Sequence, residues 1–176
     1  MHLIKDNFLN KKEKKYIDDI ILSSTFPWYY NDHQCHNDNR PFFYHTLKSR
    51  PEAKDKNGEL GVIWSEHYYF FKNILIRFCK NNQIKLQKIF RGSINSTFRL
   101  DIKRGKKHVD HDFNYRQIII YLNDSDGNTN LYNEKGKLEA SIEPKKYRLL
   151  FFTDRLHSAG LPIKSNRRVI AVLTFI

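Results

Sequence analysis

The stretch HVDHDFNYRQIIIYLND, residues 108–124, decides the reading of this chain. Its second half, Ile118-Ile119-Ile120-Tyr121-Leu122, is apolar at consecutive positions, so the strand it predicts must be covered on both faces. Its first half sets His108 and Asp110 two residues apart. In extended backbone such residues point the same way, which lets one imidazole and one carboxylate approach a single metal ion. The pair needs a third donor. Only His157 follows His111 among the histidines, in Asp154-Arg155-Leu156-His157-Ser158, just after a second doubly apolar run, Leu149-Leu150-Phe151-Phe152. Two histidines and one carboxylate form the donor set that holds non-haem Fe(II) and leaves positions open for chemistry.

Outward from this segment the pattern keeps a period of two. From residue 86 on, strands are predicted at 87–91, 97–103, 115–122, 129–133, 137–143, 147–153 and 168–175, separated by turn chemistry at 123–128 and at Glu134-Lys135-Gly136. The preceding half reads differently. FLNKKEKKYIDDIILS (8–23) and EHYYFFKNILIRFCK (66–80) carry apolar residues at helical spacing, the second preceded by Ser65 as a candidate cap. Between them, residues 24–64 hold Pro27, Pro41, Pro51 and KDKNGE (54–59), which predicts little regular structure. Helices followed by many short strands predict an α+β, mainly β chain with a sandwich or barrel core. The expected organisation is one domain over 1–176, with 1–85 as helical and loop support and 86–176 as the catalytic β core.

Composition sets the outer bounds. The 176 residues suit one domain, and 13 Phe, 10 Tyr and 2 Trp are enough to build a core, which argues against disorder. No apolar run approaches the roughly 18 residues of a membrane span, and the start Met1-His2-Leu3-Ile4-Lys5-Asp6 lacks a signal peptide's apolar centre. A soluble, cytoplasmic protein without a membrane partner is the expectation. Cys35 and Cys79 cannot make a multi-disulfide framework. The net charge of +12 suits an anionic partner such as nucleic acid, and Lys103, Arg104, Lys106 and Lys107 form the densest basic run. The remaining basic residues are spread along a chain rich in Lys, Asn, Ile, Phe and Tyr, as a biased codon supply would also give.

Other chemistry-bearing groups lie outside this core. His36-Asn37-Asp38 repeats the His-x-Asp spacing, but in a polar loop with no apolar strand behind it. His33-Gln34-Cys35-His36 has no second Cys/His cluster to complete a closed zinc site. His111 is assigned no role. Arg167 and Arg168 open the last strand, Arg168 on the face of Ile170 and Val172 and Arg167 on that of Val169 and Ala171. Either would head an apolar face and need a planar anion, from a dicarboxylate co-substrate or from a structural ion pair.

Taken in order, HVD (108–110), IIIYLND (118–124), IEPKKYRLLFF (142–152), HSAG (157–160) and the Arg-Arg strand resemble the Fe(II)/2-oxoglutarate-dependent dioxygenases, particularly the prolyl 4-hydroxylase-like branch and its small phage-type members. FPWYY at 26–30 is similar to the N-terminal part of those small members. The resemblance implies a double-stranded β-helix, jelly-roll-like, with N-terminal supporting helices. It implies His108, Asp110 and His157 as iron ligands and as the catalytic centre. Arg168, with Arg167 as fallback, would bind the distal carboxylate of 2-oxoglutarate, and Tyr121 would add a second hydroxyl contact. Fe(II), 2-oxoglutarate as co-substrate and O2 are the implied cofactors, with ascorbate as an optional reductant. The implied reaction is hydroxylation of a C–H bond with release of succinate and CO2, Ile119 and the Leu149/Phe151 face forming cavity walls. A peptidyl prime substrate is favoured by the resemblance alone, with nucleic acid and small metabolites left open, as is the oligomeric state. A non-catalytic jelly-roll binding module and a basic nucleic-acid-binding protein are the competing readings.

Overall fold

The final strand of the chain sits in the middle of the molecule because both of its faces are apolar. In the computed structural model, which describes residues 1–34, 40–55, 57–100 and 105–176, this strand is β10 (Arg167–Phe175). It pairs antiparallel with β4 (Ile89–Phe98) on one side and with β5 (Arg116–Tyr121) on the other, Arg168 opposite Thr97 and Val172 opposite Ile119. The remaining strands of this sheet are β1 (His2–Lys5), β2 (Tyr29–Asn31), β3 (Phe42–Lys48) and β8 (Leu149–Thr153), in the order β1-β8-β5-β10-β4-β3-β2. A second sheet, β7-β6-β9, joins β6 (Thr129–Tyr132), β7 (Leu138–Ile142) and β9 (His157–Ala159).

The period of two sorts the core into two layers. Val169, Ala171, Leu173 and Phe175 pack with Ile118, Ile120, Leu149 and Phe151 against α2 (His67–Asn81), whose Phe71, Ile74, Leu75 and Phe78 are fully buried. Each such side chain contributes about 2–3 kcal/mol of burial free energy. Ile170 and Val172 look the other way, joining Ile119, Leu150 and Phe152 and reaching Leu131 and Ile142 of the second sheet. Two facing sheets with helices on the outside of the larger one give the expected rolled, jelly-roll-like core.

The N-terminal helix begins one turn later than its apolar spacing predicts. Asn10 and Glu13 form a reciprocal capping box that starts α1 (Lys11–Tyr16), and the chain continues as a π-helical turn, Ile17–Ile21, with Ile17 and Ile21 fully buried. Glu13 also accepts from Arg77 Nη2 at 2.7 Å, which ties α1 to α2. Glu66 provides no side-chain cap for α2; the Ser65 hydroxyl accepts the His67 N–H at 3.2 Å instead.

Several expectations need correction. Residues 24–64 are not sparse in structure, since β2 and β3 lie there; Pro27 and Pro41 fall just outside the strands and bound them. Strands 87–91 and 97–103 are one strand, β4, running through Gly92, where an added Cβ would lie 3.2 Å from Leu47 Cβ, so the glycine marks close approach of β3 and not a break. Short strands β1 and β9 had no prediction. Leu149 and Phe151 face the helices, so Leu150 and Phe152 replace them on the interior face. Cys35, the His36-Asn37-Asp38 triplet, Lys103, Arg104 and residues 101–103 of the predicted strand lie outside the described residues. No helix among the described residues is long and apolar enough to cross a membrane.

Candidate active site

Two backbone hydrogen bonds bring the distant histidines together. His108 N–H donates to the His157 carbonyl and His157 N–H to the His108 carbonyl, both at 2.9 Å, an isolated antiparallel bridge at the start of β9. The imidazole centroids are consequently 4.4 Å apart. Each ring turns Nδ1 to a backbone carbonyl, that of Lys106 at 3.1 Å for His108 and that of Arg155 at 2.9 Å for His157. A carbonyl can only accept, so Nδ1 carries the proton and Nε2 keeps the lone pair a metal needs. Asp110 Oδ2 lies 3.7 Å from His157 Nε2, and one donor atom from each of the three residues lies within 4.8 Å of the others.

Asp110 is held from several sides. Arg91 Nη1 donates to Oδ1 at 2.8 Å, leaving Oδ2 toward the histidines. Arg50 Nη1 donates to the Asp110 carbonyl at 2.7 Å, and the Asp110 N–H donates to the Tyr115 hydroxyl at 2.8 Å. Burial alone would raise the Asp110 carboxyl; Arg91, the two imidazoles and Arg50 outweigh it and keep the group ionised well below the usual carboxylate range. Burial pushes His157 down to about 4, against the pull of Asp110, so its imidazole is neutral near pH 7. An ionised carboxylate beside the neutral imidazole of His157 is the protonation state a ligand set needs.

A second group of residues converges at the base of β10. Arg168, 1% exposed, donates through Nη2 to Thr129 Oγ1 at 2.7 Å, and the Tyr121 hydroxyl donates to the same oxygen at 2.7 Å. The guanidinium also lies 5.6 Å from the Tyr121 ring centre. Its Nε and Nη1 are buried and have no hydrogen-bond partner among the described residues. Burial lowers its pKa, and among the described residues no carboxylate acts on it. Gly127 gives the arginine its space, since a Cβ there would lie 2.7 Å from the Gly160 carbonyl and 3.1 Å from Arg168 Cδ. The adjacent loop is fastened by Asp126, whose carboxylate accepts the backbone N–H groups of Ile163, Lys164 and Ser165. Arg167 falls on the opposite face of β10, its carbonyl accepting from Asn123 Nδ2 at 2.9 Å.

Both groups open into one cavity of about 700 Å³, lined by His108, Asp110, His157, Thr129 and Arg168, with Ile119, Ile170 and Val172 as apolar wall. The structure therefore brings together His108, Asp110, His157 and Arg168. It places Tyr121 behind Thr129, with its hydroxyl committed to that residue. His111 is buried elsewhere, with Nε2 2.8 Å from Thr174 Oγ1. Arg91 and Thr129 were not singled out in the sequence. One arginine among many basic residues and one threonine opening a strand carry no motif of their own.

No protein-family model matches the sequence, and no curated protein matches it. Solved structures do. An oxidoreductase of the 2OG-Fe(II) oxygenase family from Burkholderia pseudomallei superposes with a TM-score of 0.74 at 14% identity, covering 99% of this chain and 84% of that one. The chain has the 2OG-Fe(II) oxygenase fold. A Trichoplax adhaerens prolyl hydroxylase, in complex with a hypoxia inducible factor oxygen degradation domain peptide fragment, gives 0.63 at 16% identity over 99% of this chain and 83% of that one. SnoN, a non-heme alpha ketoglutarate dependent epimerase from nogalamycin biosynthesis, gives 0.62 at 10% identity over 99% and 78%. The oxygenase fold thus accommodates hydroxylation and epimerisation alike, and the reaction of any one member has to be argued from its own cavity.

Proposed function

We propose that this chain is an Fe(II)- and 2-oxoglutarate-dependent oxygenase that hydroxylates a C–H bond of a peptidyl or other substrate, releasing succinate and CO2, as a single catalytic domain acting in the cytoplasm. One observation carries the reading: a three-residue metal-ligand set and a buried arginine without a carboxylate partner among the described residues face the same cavity. The residues fit both groups. His108 and His157 offer Nε2 and Asp110 offers Oδ2, the donor set for Fe(II). The Nε and Nη1 groups of Arg168 suit a carboxylate of a dicarboxylate acid.

When bound, Fe(II) with 2-oxoglutarate and O2 supplies the oxidising power, and decarboxylation of the co-substrate drives the chemistry. The chain's own work is positioning and exclusion of water. Arg91 fixes Asp110 so that one oxygen faces the metal position. Thr129, held by Tyr121, fixes the Arg168 guanidinium that would take the distal carboxylate. Ile119, Ile170 and Val172 keep the reacting volume apolar.

The competing readings account for less. A silent binding module gives no reason for the buried, neutral imidazole of His157 and the imidazole of His108 to converge on an ionised Asp110. A nucleic-acid-binding face draws no support from Lys107, whose Nζ is turned to the Gly136 carbonyl at 2.8 Å and to the Tyr132 ring at 4.4 Å. A peptidyl substrate agrees with the peptide complex of the Trichoplax hydroxylase. The test is Fe(II)-dependent conversion of 2-oxoglutarate to succinate, stimulated by ascorbate, with the His157→Ala chain as blank. Equal succinate from both chains removes the proposal.

A further inference from the structure

Beyond the metal and co-substrate groups, the outer half of the cavity is built by β2, β3 and the loop after β3, and its charge has one sign. Lys48, Arg50 and Lys54 line it, Lys48 Nζ also donating to the Gly61 carbonyl and Arg50 Nη2 lying 3.7 Å from the Asp110 carboxylate, while Asp110 is the one carboxylate on its described wall and is already bonded to Arg91. Glu52, 3.7 Å from Arg50, lies outside the lining. The rim is aromatic, with Tyr29 56% and Trp64 57% exposed. Both rings are accessible to a partner that enters the cavity.

The backbone beside these groups selects among anionic partners. β2 is the last strand of the seven-stranded sheet, so among the described residues its outer backbone edge pairs with no strand. An extended polypeptide can add to such an edge.

Resting on the oxygenase reading above, we propose that the prime substrate is an extended polypeptide segment with a carboxylate side chain to one side of the oxidised residue. The carboxylate is received by Lys48, Arg50 and Lys54, and the segment crosses the rim between Tyr29 and Trp64.

The test separates this claim from the one beneath it. Anaerobic titration of the native chain with Fe(II) and 2-oxoglutarate comes first, because its charge-transfer band needs no prime substrate; absence of the band overturns the oxygenase reading and this proposal with it. Peptide pools with a fully varied centre and flanks of Asp/Glu, Ala/Ser or Lys/Arg are then incubated aerobically, beside a mixed-sequence single-stranded oligonucleotide. Mass spectrometry reads the gain of one oxygen atom. The acidic pool gains oxygen about fivefold or more above the basic pool, as expected of several partly exposed cations around one carboxylate. Lys54→Glu, on the exposed loop, and Lys48→Glu combined with it narrow or invert that preference. Equal modification of all pools, preference for basic flanks, a preference untouched by both variants, oxidation of the oligonucleotide alone, or an intact band with no peptide modified overturns the proposal.

Discussion

Replacing Arg168 by Met is expected to stabilise the ligand-free chain while abolishing its response to 2-oxoglutarate. Among the described residues the native guanidinium, 1% exposed, donates through Nη2 to Thr129, and Nε and Nη1 have no partner. Exchanging a buried charge for an apolar side chain of similar length is commonly neutral or stabilising by up to about 4 kcal/mol. The lost contact with the Tyr121 ring offsets about 1 kcal/mol of this. A net gain of about 1–2 kcal/mol follows, and at about 2–4 °C per kcal/mol for a chain of this size Tm rises by roughly 3–6 °C. The ligand arm runs the other way. At a 2-oxoglutarate concentration of about 100 Kd the native chain gains about 2.7 kcal/mol. Loss of a buried charged anchor costs about 2–5 kcal/mol of affinity, so a variant binding about 100-fold more weakly gains only about 0.4 kcal/mol at the same concentration. The assay is thermal unfolding followed by circular dichroism, with Mn(II) as a redox-silent metal, with and without 2-oxoglutarate. A variant that is less stable than the native chain and still shows the full ligand shift refutes the reasoning.

Arg91→Leu leaves the Asp110 carboxylate without its 2.8 Å partner, and metal affinity in a Co(II) titration is expected to fall about 10–100-fold, with Arg91→Lys recovering part of the loss. Asp126→Ala frees the N–H groups of Ile163, Lys164 and Ser165, so hydrogen exchange of those amides accelerates and 2-oxoglutarate binds more weakly through the loosened Arg168 pocket. His45 is buried, with Nδ1 at the Pro27 carbonyl and Nε2 at the Ser65 hydroxyl, and burial holds its pKa below 6.5. The unfolded chain therefore takes up that proton first. Stability falls as pH drops from about 6.5 toward the folded value, and His45→Gln flattens the slope of denaturant-derived stability against pH in that window.

Much of the site was legible because its chemistry is local in sequence. The spacing of His108 and Asp110 and the run from Ile118 to Leu122 state a strand and a ligand pair within a few residues. Alternation along β10 also separated the two arginines, and the interior position of Arg168 follows once its partner residues Ile170 and Val172 are known to face the second sheet. What stayed hidden depends on contacts between distant segments. β3 reads as loop because Pro41 and a polar neighbourhood hide the alternation of Phe42, Tyr44, Thr46 and Lys48, which line a cavity and not a dry core. β9 is three residues long, too short to show a period, although it carries His157. The exchange of Leu149/Phe151 for Leu150/Phe152 as interior residues shows the same limit. A run apolar on both faces does not say which face meets the helices.

His108, Asp110 and His157 are expected to hold one ferrous ion next to Arg168. Anaerobic addition of Fe(II) to the chain with 2-oxoglutarate measures this directly. A weak visible charge-transfer band in the native chain, lost in His157→Ala, is the expected result; no band in the native chain, or a band that persists in the variant, contradicts it.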